Sequence, residues 1–289
     1  MARGLDHIVH AVHDLDAVVA LYTRLGFQVG ARNRHARNWG TQNHIVQLPG
    51  TFIELLTVAD ASGIEPPAPR SFSFGAFNRD FLARGEGLSM LVLEGRGAID
   101  ADNFRVAGIG DFQTDDFERE GKRPDGTAVK VAFSLAFARD LKAPDVAFFT
   151  CLHRHPESFW NPVFQVHPNT ASRVAGVVLV AENPADHHVF LEAFSGVRDL
   201  LATSSGVSLV TPRGTIAVMN PLAYADHFGV QPPDTTEGAR LAALRFSVRD
   251  MAAVEAISKK AAIQYTKRMD RLVVGPDVAM GASLIFGLD

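Results

Sequence analysis

The residues best suited to chemistry in this 289-residue chain are a few histidines and one glutamate set in apolar segments. His7, His10 and His13 recur at every third position of LDHIVHAVHDLDAVVALYTRLGF, and Glu54 interrupts the apolar run FIELL. That spacing gathers side chains on a helix but scatters them on a strand. The β-branched and apolar residues from Leu5 to Val12 suit a strand, whose alternation sets Leu5, His7, Val9 and Ala11 against Ile8, His10 and Val12. The three histidines therefore cannot form one cluster. His10 is expected as a hydrogen-bonded core histidine, and His13, His187 and His188 are expected in exposed turns or helices. A carboxylate at Glu54 is expensive to bury unless it is paired, protonated or bound to a metal.

The elements that must position these groups can be read nearby. Asp14 is a good N-cap, Val18, Leu21, Tyr22 and Leu25 follow at helical spacing, and Gly26 is placed to end the helix. NHIVQLPGTFIELLT reads as a hairpin around Pro49-Gly50. A two-residue turn pairs Leu48 with Thr51, Gln47 with Phe52, Ile45 with Glu54 and Asn43 with Leu56. Paired residues share a face, so Asn43, Gln47, Phe52 and Leu56 join Glu54, and His44 lies opposite. The preceding run RNRHARNWG offers Arg34, His35, Arg37 and Trp39, either as a solvated loop or as a lid over the hairpin. Asn43, Gln47, Trp39 and Arg37 are the candidate substrate-binding residues.

A strand, a helix and three strands, with DHIVHAVHDLDAVVALYTRLGF at the start and GTFIELL at the end, resemble the βαβββ module of the vicinal oxygen chelate (VOC) superfamily. The segment from His35 through WGTQNHIVQLPGTFIELL resembles its glyoxalase-like domain group. The resemblance implies an α+β fold in which modules pair so that curved mixed sheets surround a cavity. It also implies a divalent metal (Fe, Mn, Ni or Zn), with His7 matching the first-strand ligand and Glu54 the last-strand ligand. Four modules can be drawn, at about 4–60, 86–155, 172–222 and 239–289, making two domains, 1–165 and 172–289. EPPAPRSFSF, Glu65 to Phe74, reads as a linker, and HPNTASR, His167 to Arg173, as the domain boundary.

The later copies lack the ligands. Opposite His7 stand Met90, Ala175 or Gly176, and Ala243; opposite Glu54 the third and fourth modules offer Val218 and Ile285. None of these binds a hard divalent ion usefully, so the second domain is degenerate and any metal belongs to the first. A third ligand is expected from the second module, whose last strand AFFTCLH places Cys151 and His153 on one face. His153 is the candidate, with Cys151 as the alternative for a softer metal or else a small core residue.

Two functions follow from the resemblance. One is a metal-dependent enzyme, of isomerase, lyase or dioxygenase type, in which the ion acts as Lewis acid on neighbouring oxygens of a small substrate and Glu54 serves as ligand or general base. The other is a metal-free binding or sequestering protein of the bleomycin-resistance type, its pocket lined from the 20 phenylalanines. A net charge of -4 gives no reason to expect nucleic acid or an anionic membrane. The single cysteine excludes an internal disulfide framework. With no apolar signal core and no apolar run approaching about 18 residues, the chain is expected in the cytoplasm. There is no phosphate-cradling glycine loop and no nucleophile elbow. Four modules satisfy the pairing requirement within one chain, and exposed strand edges leave a homodimer open.

Overall fold

The computed structural model describes residues 1–122 and 126–288. The first half runs β1 (Leu5–Ala11), α1 (Leu15–Arg24), β2 (Asn33–Arg34), β3 (Thr41–Leu48), β4 (Thr51–Val58), α2 (Phe74–Leu82), β5 (Gly87–Glu94), α3 (Ala98–Val106), β6 (Asp115–Lys122), β7 (Ala128–Ala138), β8 (Ala147–His153) and α4 (Pro156–Phe159). The second half runs β9 (Ala171–Val180), α5 (His188–Ser195), β10 (Leu200–Thr203), β11 (Gly206–Val210), β12 (Thr215–Met219), α6 (Pro221–Phe228), β13 (Arg240–Val248), α7 (Met251–Lys260), β14 (Thr266–Arg268), β15 (Arg271–Val274) and β16 (Ser283–Leu288). Each half forms one eight-stranded mixed sheet. The orders are β2-β3-β4-β1-β5-β8-β7-β6 and β10-β11-β12-β9-β13-β16-β15-β14, so the same four-strand unit occurs four times, paired in twos. Among the described residues no helix is long and apolar enough to cross a membrane.

The helix starts follow from capping chemistry. Asp14 accepts from the Ala17 amide, Ser73 from Ala76, Asn220 from Ala223 and Asp250 from Ala252 and Ala253, satisfying amides that have no carbonyl partner within the helix. The hairpin β3–β4 pairs Leu48 with Thr51 and continues through Ile45–Glu54 to Thr41–Val58, the register that a two-residue Pro49-Gly50 turn dictates.

The two sheets pack back to back through their helix-bearing faces. Ile8, Val18, Leu21, Leu91 and Phe104 of the first half form one continuous apolar cluster with Val177, Phe190, Phe194, Leu244 and Phe286 of the second. Arginines stitch the halves: Arg240 pairs with Asp145, Arg24 donates to the Ala261 carbonyl, and Arg3 and Arg213 each make several ties. Arg3 donates to Asp100 Oδ1 at 2.7 Å and to the Phe194 carbonyl at 2.8 Å. Arg213 donates to the Leu5 and Gly50 carbonyls at 2.8 and 2.6 Å and to Glu94 Oε1 at 2.6 Å.

The opposite faces carry separate clusters, and each receives a helix that the sequence reading left out. α2 buries Phe74, Phe81 and Leu82 against the first sheet. α6 sets Tyr224 and Phe228 against the second, where the Tyr224 hydroxyl donates to Ser283 Oγ at 2.8 Å. The segment expected as a linker leads directly into α2.

Two expectations need correction. Leu5 does not share a face with His7: the β1–β5 pairing shifts register between them, and Leu5 packs with Ile8 and Val12. His187 is not exposed but buried, its Nδ1 2.6 Å from Asp140 Oδ2. His10 is a fully buried histidine, as expected, with Nδ1 3.2 Å from the Tyr22 hydroxyl and Nε2 3.0 Å from the Met280 carbonyl.

Candidate active site

The bulge in β1 makes an unusual array. An extra residue in one strand brings neighbouring side chains toward the same side, and here it joins Asp6 to His7. His7 Nδ1 lies 2.6 Å from Asp6 Oδ1, and His153 Nε2, reaching in from β8, lies 3.1 Å from Asp6 Oδ2. Burial opposes a charge on Asp6, but the two imidazoles overcome it and hold the carboxyl down to about 2. With Nδ1 committed to a carboxylate, His7 presents Nε2 to the cavity, and its ring is stacked on Phe52 at 4.2 Å. Buried His153 Nδ1 has no hydrogen-bond partner among the described residues.

Glu54 projects from β4 into the same cavity and is only 4% exposed. Asn43, across the hairpin on the same face, donates to its Oε1 at 2.5 Å. His7 Nε2 lies 3.9 Å from Oε2 and His35 Nε2 lies 3.6 Å from Oε1, so the carboxylate sits between two imidazoles. Thr41 Oγ1 holds His35 Nδ1 at 2.7 Å. Burial pushes the His35 imidazolium pKa down, with Glu54 opposing and Arg119 assisting, which leaves a neutral ring. Arg119, on β6, completes the wall as a half-buried guanidinium. The remaining lining is aromatic and apolar, including Trp39, Phe52, Phe74, Phe117, Phe133, Phe149 and Phe159, around a small cavity of about 50 Å³.

Of the residues singled out from the sequence, His7, Glu54, Asn43 and Trp39 line this cavity. Trp39 is buried, stacked on Phe74 at 4.5 Å. The other three lie elsewhere. His153 contacts Asp6, and reaches His7 only through that carboxylate. Gln47 shares the face of Glu54 but is used as a clasp: its amide donates to the Phe159 carbonyl at 2.8 Å and its oxygen accepts from the Asn161 amide at 3.0 Å. Arg37 is exposed and packs over Gly63, because the loop turns at Gly40 (φ +64°) and sends Trp39 inward instead. Asp6, His35 and Arg119 were missed as site residues. Asp6 requires the bulge, and Arg119 the face assignment of β6; His35 lay in a run already marked as a lid.

The His7, Glu54 and His35 donors all come from one half of the site. A shared ion with bonds of about 2.1 Å allows donor atoms up to about 4.2 Å apart; each imidazole-to-Glu54 separation meets that limit singly, but the ligand atoms of His7, Glu54 and His35 do not all lie within 4.8 Å of one another, so the three would have to draw together around an ion. His7 has Nδ1 anchored and Nε2 presented, whereas His35, anchored at Nδ1 by Thr41, has Nε2 3.1 Å from the Asn43 amide nitrogen. In the other half, the two-fold through the Ile8–Leu91 pair places Met90 where His7 stands and, through the parallel partners Val9–Glu54 and Val92–Phe149, Phe149 where Glu54 stands. Among the described residues the three ligand atoms that do lie within 4.8 Å of one another are those of Asp6, His7 and Cys151. That set is a poorer one: Asp6 already accepts from two imidazoles, and burial, then the charges of Asp6 and Glu54, push the Cys151 thiol up.

The profile of the glyoxalase-like domain matches residues 5–194. The chain belongs to that family. A search of curated proteins finds no match to this glyoxalase-like chain. Among solved structures it is similar over its whole length to a hypothetical protein from Staphylococcus aureus, at 11% identity and a TM-score of 0.65, with all of that chain covered. It is similar to a variant of 4-hydroxymandelate synthase from Streptomyces coelicolor, at 9% identity and 0.57, with 94% of that chain covered. It is also similar to 2,2',3-trihydroxybiphenyl 1,2-dioxygenase from Sphingomonas wittichii, at 11% identity and 0.53, with 91% covered. At these identities the likeness is one of fold: the paired-module architecture of the VOC superfamily.

Proposed function

We propose that this glyoxalase-like protein is a divalent-metal-dependent enzyme acting on neighbouring oxygen atoms of a small substrate, with the ion held by His7, Glu54 and His35. The observation that carries the reading is the Glu54 carboxylate, buried between two imidazole Nε2 atoms at 3.9 and 3.6 Å. An unpaired carboxylate in such a place is costly, and a cation shared with the two imidazoles removes the cost. When bound, the ion supplies Lewis-acid polarisation of the substrate oxygens. Asp6 and Thr41 fix the two ring orientations, Asn43 fixes the carboxylate, and the aromatic wall excludes water and strengthens every charge interaction inside. A Glu54 oxygen not taken up by the ion would be the group to accept a proton from a substrate carbon. Cys151, held as a thiol, takes no nucleophilic part.

Metal content by elemental mass spectrometry, on protein purified without tag or chelator, tests this. Near-stoichiometric Fe, Mn, Ni or Zn in the wild type that falls at least tenfold in His7→Ala and Glu54→Ala is expected. A wild type that stays empty after incubation with each metal refutes it. Met90 and Phe149 at the pseudo-symmetric positions favour a second reading, a metal-free binding protein, and the empty result would select it.

A further inference from the structure

Arg119 has a role that metal binding does not explain. Among the described residues no carboxylate lies within ion-pair distance of its guanidinium, yet it sits half-buried in the wall of the cavity among Phe117, Phe133, Trp39 and Phe74. Glu54 is the anion whose field reaches it, and burial outweighs that attraction, pulling the guanidinium pKa down. A cation taken from water without a paired anion is costly, and a ligand anion is the group that repairs it. The charge count points the same way. Counted apart from the imidazoles, Asp6 and Glu54 against Arg119 leave one excess negative charge in the site. A divalent ion reverses this to one excess positive charge, which a single anionic group neutralises. Six phenylalanine rings and one tryptophan around these groups favour a flat, unsaturated skeleton over a flexible polar one.

We infer that Arg119 is a specificity-determining residue that binds the carboxylate of a small planar, aromatic or unsaturated monoanion, turning the rest of the molecule toward His7 and Glu54. This names the substrate class of the site proposed above and rests on that reading for its charge balance, but the recognition step is a property of Arg119 and the aromatic wall.

The test titrates benzoate and phenylacetate, with benzamide and phenylacetamide as neutral isosteres, against wild type, Arg119→Gln and Arg119→Lys. Tryptophan fluorescence is the readout, Trp39 being in the wall; each protein is measured metal-loaded and after chelation. The acids are expected to bind at least tenfold more tightly than their amides. That preference should vanish in Arg119→Gln with amide binding unchanged, and persist in part in Arg119→Lys. Acids that bind no better than amides, no saturable binding of either, or a preference that survives Arg119→Gln would each overturn the inference. An Arg119-dependent preference in a protein that takes up no metal supports the inference while refuting the metal reading, so the two failures are separable.

Discussion

Replacing Asp6 by asparagine tests the buried array directly. Asp6 is 5% exposed at its side chain and its carboxyl is held at about 2, against an ordinary 3.8. A shift of that size corresponds to about 2 kcal/mol of folding stability. Because the folded-state value is depressed, the contribution is complete above the unfolded value and is lost as pH falls through the folded one. The window therefore runs from about pH 5 to below pH 2. About 1 kcal/mol of it should be gone by pH 3. The assay is equilibrium urea unfolding of wild type and Asp6→Asn at several pH values from 7 to 3. In the difference between the two proteins the other carboxylates cancel. The gap should be wide at pH 5 and narrow by about 1 kcal/mol at pH 3. Parallel stability profiles across that range would show that the two imidazoles do not hold Asp6 ionised, and the account of how His7 is oriented would fall with it.

Three further outcomes are expected. Gln47→Ala should cost about 1–3 kcal/mol by removing the clasp on Phe159 and Asn161; it should also speed proteolytic cleavage within 154–166, and unchanged cleavage would show that the clasp is idle. Arg213→Ala should lower stability by about 1–2 kcal/mol, mostly through the Leu5 and Gly50 carbonyls and not through half-exposed Glu94; Glu94→Ala should then cost less, and the reverse order in thermal unfolding would contradict this. Cys151 should resist a thiol reagent in the native protein and react fully in urea, and Cys151→Ala should retain the wild-type metal content; loss of metal would make the thiol a ligand.

The register of β3 and β4 was legible residue by residue because a Pro-Gly turn fixes the pairing and one buried face fixes the rest. Glu54 was legible for the same reason: a carboxylate in FIELL is conspicuous once its face is known. The bulge was not legible. It depends on how β5 meets β1, a long-range pairing that alternation within one strand cannot report, and so Asp6 went unnoticed beside His7. His153 shares its strand face with Cys151 as alternation indicates, but the neighbour that its Nε2 meets, Asp6, depends on the bulge and so could not be read from β8 alone. His187 was misjudged because Asp140, which buries it, lies 47 residues away. Arg119 stands on a strand whose charged sequence, DDFEREGK, alternates too weakly to name an inner face.

The back-to-back packing gives the second half a role that needs no chemistry of its own. Phe190 and Phe194 of α5 close over Phe148 and Phe104, and the family match extends to that helix instead of stopping at the end of the first sheet. A chain cut after β8 would present a long oily flank to water and lose the arginine ties across the seam. The ligand-poor half thus acts as the mould in which the other is cast, free to vary along its own concave side and constrained along the shared seam.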